Sequence, residues 1–96
     1  MDTNASREVA AKFIESGASP CSWGVIENAP PVTPPTGYIS GRHTPSDAAT
    51  VAEALRTWDL EECVDNGSMR HFRLRNGDRL AGVNVPLSAF AEHGLQ

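Results

Sequence analysis

Between positions 70 and 79, Arg70, Arg73, Arg75 and Arg79 stand beside His71 with Asp78 as the lone acid. Guanidiniums held on a rigid ribbon bind carboxylates or phosphates through paired, fork-shaped hydrogen bonds. The segment carries a local +3 inside a chain of net charge −4, so the rest of the chain is strongly acidic. That balance disfavours a general binder of nucleic acid or anionic membrane, which needs surplus cations facing the phosphates. It suits docking on a protein instead. The expected partner surface is His71, Arg73, Arg75 and Arg79, presented outward by a β-hairpin. Reversing charge at Arg73 and Arg75 is then expected to weaken partner capture and leave folding intact. The alternative is a small nucleic-acid regulator that inserts the basic hairpin 70–79 into a groove as a two-stranded reader.

Other chemistry has less to build on. The candidate metal ligands Cys21, His43, Cys63, His71 and His93 are spaced 22, 20, 8 and 22 residues apart. Structural zinc sites take ligands in close pairs, so that one turn presents two at once. Cys63 has Glu61, Glu62 and Asp65 as neighbours, and carboxylates disfavour a thiolate, the reverse of activation. On a regular strand Glu61 and Glu62 point to opposite faces and cannot share a proton. Gly37-Tyr38-Ile39-Ser40-Gly41 lacks the Gly-Lys-Ser/Thr ending of a phosphate loop and reads as a turn beside a short strand. His43 reads as a loop residue, and His93 as a helix-end residue favoured by the dipole. The expectation is no enzyme, no metal and no cofactor.

The elements that would position these residues follow from periodicity. Residues 4–16 place Val9, Ala10, Phe13 and Ile14 on one helical face, with Gly17 as a left-handed stop. Cys21 to Glu27 alternates as a strand with Trp23 and Val25 on one side. Residues 29–37 hold four prolines between positions 30 and 35, a run that fixes φ, removes donors and reads as an extended surface loop. Thr44-Pro45-Ser46-Asp47 predicts a helix with Thr44 as N-cap and Pro45 as first residue. Its buried stripe is Ala48, Val51, Ala52, Leu55 and Trp58. Leu60 to Val64 reads as a strand. Met69 to Arg75 and Arg79 to Val85 are the arms of a hairpin with Asn76-Gly77 at its tip. Phe72 and Leu74 face inward there, and His71, Arg73 and Arg75 outward. Leu80, Val83 and Val85 break strict alternation, which predicts a bulge at Ala81-Gly82. Pro86 opens a short last helix that ends at Gly94.

Ninety-six residues make a single small globular domain. The fold class is α+β: a small antiparallel sheet of three to four strands packed against two helices, with a short C-terminal helix. Phe13, Trp23, Val51, Leu55, Trp58, Phe72, Leu74 and Val83 form the expected core. The first residues lack a cationic stretch followed by an apolar run, so the chain reads as cytoplasmic and not membrane-bound. Cys21 and Cys63 are then expected as reduced, partly buried thiols. By analogy of size and composition, such a chain has the character of an accessory or inhibitor protein of a phage or mobile element.

Overall fold

A computed structural model describes residues 3–17, 21–26, 43–44 and 47–94. The described elements are α1 (Thr3–Glu15), β1 (Ser22–Ile26), β2 (His43–Thr44), α2 (Ala48–Thr57), β3 (Asp59–Asn66), β4 (Met69–Asn76), β5 (Arg79–Pro86) and α3 (Leu87–Ala91). The fold is α+β. Four strands pair antiparallel in the order β1-β5-β4-β3, and the two-residue β2 lies beside β1. The proline-rich loop at 29–37 and the Gly37–Gly41 turn lie outside the described residues.

Alternation sends Trp23, Val25, Phe72, Leu74, Ala81, Val83 and Val85 to one face of the sheet, where they meet the helices. They form one cluster with Ala10, Ala11 and Ile14 of α1, Val51 and Leu55 of α2, Trp58, and Phe90 of α3. Val51, Leu55, Trp58, Phe72, Leu74 and Val83 are buried as expected, while Phe13 and Trp23 are half-buried against the same core. Tight turns join the last three strands. Asn66 pairs with Met69 and Asn76 with Arg79, so two residues make each turn. Gly67 and Gly77 take φ of 64° in them, a conformation that costs a residue with a Cβ.

Three local expectations are corrected. The N-cap of α2 is Asp47, whose side chain accepts from Thr50 N at 2.8 Å; Thr44 belongs to β2. A carboxylate at that position also meets the positive end of the helix dipole, so Asp47 competes well with a threonine three residues earlier. This hydrogen bond from Thr50 holds the Asp47 carboxyl below its ordinary pKa. No bulge occurs at Ala81-Gly82, where both neighbouring registers run unbroken. Leu80 leaves the alternation because it packs with Ile26 on the opposite face of the sheet. The bulge lies in β3 instead, where the register shifts between Leu60 and Glu62.

Arginines tie the layers together. Arg7 of α1 donates to the carbonyls of Leu55, at 2.7 Å, and Trp58, which closes the C-terminal end of α2. Arg56 of α2 reaches back to Glu8 at 3.0 Å and Glu15 at 2.8 Å. Its hydrogen bonds hold both carboxyls below the ordinary carboxylate range. Cys21 and Cys63 are half-buried and are not joined in a disulfide. The sheet order explains this, since two strands separate β1 from β3. Three inter-strand steps span roughly 14 Å, about twice the largest Cα separation a disulfide bridges. Among the described residues, no helix is long and apolar enough to cross a membrane.

Candidate functional site

The basic segment is not one surface. Alternation places Arg70 and Arg79 on the helix-bearing face of the sheet, and His71, Arg73 and Arg75 on the other. Arg70 is 2 % exposed. Its guanidinium donates to Asp65 at 2.7 and 3.2 Å and to Ser6 at 3.3 Å, and lies 4.5 Å from the Phe90 ring centroid. These bonds hold the Asp65 carboxyl below its ordinary pKa. Arg79 lies over the Trp58 ring at 5.0 Å. Both are therefore bound up with the core side of the molecule.

On the other face, Arg73 corrects the expectation of an outward, solvated side chain: it is 3 % exposed. The β3 bulge brings both Glu61 and Glu62 to it, at 3.3 and 3.7 Å. This also corrects the reading of Glu61 and Glu62 as pointing to opposite faces, because an inserted residue suspends alternation where it sits. The 3.3 Å approach to Arg73 Nε falls short of hydrogen-bond geometry, so that buried N–H has no hydrogen-bond acceptor. Arg75 donates to Glu61 at 2.6 Å and to the Gly77 carbonyl at 3.2 Å. Charge reversal at Arg73 is thus a change inside the structure, not on a free surface.

His71 is half-buried and borders two depressions on this face. Its Nδ1 lies 3.0 Å from Asn84 Oδ1, and Asn84 Nδ2 donates to Ser22 Oγ at 3.2 Å. With the amide so oriented, Oδ1 accepts from Nδ1–H. This relay crosses β4, β5 and β1 and was invisible to local spacing, because Ser22 and Asn84 are 62 residues apart. It separates two shallow depressions. One, of about 250 Å³, has Gly24, Gly82 and Ser22 in its lining. The other, of about 440 Å³, is lined by Glu62, Val64, Asp65, Asn66, His71 and Asn84.

The second depression opens onto β3, an outer strand of the sheet. Val64 there is 43 % exposed, the one large hydrophobic residue so exposed among those described. Asp59, Glu61 and Asp65 on the same strand are exposed as well. Asp65 pairs with the buried Arg70, and Glu61 with the buried Arg73 and the partly exposed Arg75, while Asp59 adds a further carboxylate to the rim.

The chemical candidates separate cleanly. Burial, ahead of the nearby Asp65 charge, pushes the Cys63 thiol above its ordinary pKa, against a smaller opposing pull from Arg70. Burial also raises Cys21. Neither cysteine is thereby activated as a nucleophile. Among the described residues, no group of three or more His, Cys, Asp or Glu side chains is placed to hold a metal ion. His93 lies beyond the end of α3, beside a groove between α1 and α3 that Phe13 and Val9 also line. In comparisons with known proteins, the chain matches no family model, no curated protein and no solved structure.

Proposed function

We propose that this chain is a non-enzymatic protein-binding module, of the accessory or inhibitor kind, that docks through the β3 side of its sheet. The observation that carries this reading is the exposed Val64 on an outer strand whose own charged residues, Asp59, Glu61, Glu62 and Asp65, are all acidic. An apolar contact ringed by charge is the usual make-up of a docking patch, in which the apolar centre supplies affinity and the rim supplies selectivity. His71 and Asn84 border the patch, and Arg73 and Arg75 hold Glu61 and Glu62 in position. The same ion pairs weigh against a nucleic-acid groove reader, because Arg70, Arg73 and Arg75 are already engaged with carboxylates.

Capture from an extract of the source cell tests this reading. The unaltered chain should retain a protein whose binding weakens with added salt, and Val64→Lys should fold normally and lose it. Undiminished capture by Val64→Lys, or recovery of nucleic acid in place of protein, would contradict the reading.

A further inference from the structure

We infer that the partner is taken up as an extended basic segment that pairs with β3 and adds a strand to the sheet. The inference rests on the docking reading above and specifies its mode and chemistry. Asn66 and Met69 close a two-residue turn, which makes them a hydrogen-bonded pair. Bonded and non-bonded pairs alternate from there. Val64 and Glu62 therefore direct their peptide groups at His71 and Arg73, while Cys63 and Asp65 direct theirs away from β4. The continuous register from Glu62 to Asn66 thus leaves two N–H donors and two carbonyl acceptors along the outer edge. A strand laid on them would have both ladder partners in place.

Side-chain alternation then selects the chemistry. Along β3, Val64 lies on the open face and Asp65 on the helix-bearing face, so an added strand sets one residue beside each in turn. An apolar residue covers Val64, and a lysine or arginine meets Asp65, whose side chain is 49 % exposed despite its bond to Arg70. Exposed Asp59 and Glu61 extend the same preference along the strand, and residues 59–66 include no cation. A second copy of this chain would bring its own acidic β3 against this one, and like charges across a strand pair are destabilising.

The test uses a short peptide of alternating lysine and valine, its glutamate–valine counterpart, and the lysine peptide N-methylated on alternate amides. The lysine peptide should bind about tenfold tighter than the glutamate peptide, and N-methylation should weaken it about tenfold. Hydrogen exchange should slow at the amides of Cys63 and Asp65 on binding. Equal binding of the glutamate or N-methylated peptide, absence of binding, or protection confined to other elements would overturn the inference. So would slow exchange at Cys63 and Asp65 that appears without peptide and grows with protein concentration, since a second copy would then occupy the edge. If Val64→Lys abolishes capture while the peptides fail, the docking reading stands and strand addition falls. If capture survives Val64→Lys, the docking reading itself falls.

Discussion

Replacing Phe72 with alanine should cost about 3–5 kcal/mol of folding stability. Phe72 is fully buried on the inner strand β4, and its ring centre is 6.1 Å from that of Phe90. The substitution removes the contact between the middle of the sheet and α3 and leaves a void that α1 and α2 cannot close without moving. A small domain has only about 5–15 kcal/mol of stability to lose, and the melting temperature should fall by more than about 10 °C. Thermal unfolding followed by circular dichroism measures it. A loss below about 1 kcal/mol would mean that the ring is not at the centre of the core.

The second large effect concerns Arg73. Converting Glu61 and Glu62 together to glutamine keeps the size of both side chains and removes both charges that face this buried guanidinium. Breaking a buried ion pair from one side typically costs 3–5 kcal/mol, and about 3 kcal/mol is expected here because both carboxylates remain partly open to water. Arg73→Met, by contrast, removes the buried charge itself and should be near neutral, since a desolvated cation with an unsatisfied N–H contributes little net stability. Chemical denaturation of the two variants side by side decides the matter. Equal losses would show that Arg73 acts only as a packing stem and that the bulge does not serve to neutralise it.

The fold was legible where two periodicities were clean. Phe72 and Leu74 alternate within β4, Val51 and Leu55 repeat at helical spacing in α2, and glycines mark the turns after β3 and β4. The misread features are places where tertiary contact decided between locally equal choices. Thr44 and Asp47 both satisfy the rules for an N-cap, and nothing nearby in the sequence ranks them. Leu80 looked like a break in alternation because its partner, Ile26, is on a strand distant in sequence. The bulge at Glu61 was hidden by chemistry, since two adjacent glutamates carry no apolar pattern for an inserted residue to shift.

Within the candidate site, charge was counted as surface. Arg70 and Arg73 are buried because each finds carboxylates on β3, and only the strand register shows that Asp65 faces Arg70 and Glu62 faces Arg73. The exposed position of Val64 was equally hidden, because it depends on β3 being an outer strand. A hint was nevertheless present: an acidic strand one turn away from a basic one suggests cross-strand ion pairs, and such pairs leave fewer arginines available to an outside partner.

Hydrogen exchange of this chain, alone and bound to the protein it retains, tests the docking account most directly. Docking through the β3 side predicts that slowed exchange on binding concentrates between Glu62 and Asn66, with the helical layer unchanged. Slowed exchange concentrated on α1 and α3, with β3 exchanging as it does in the free chain, would contradict it.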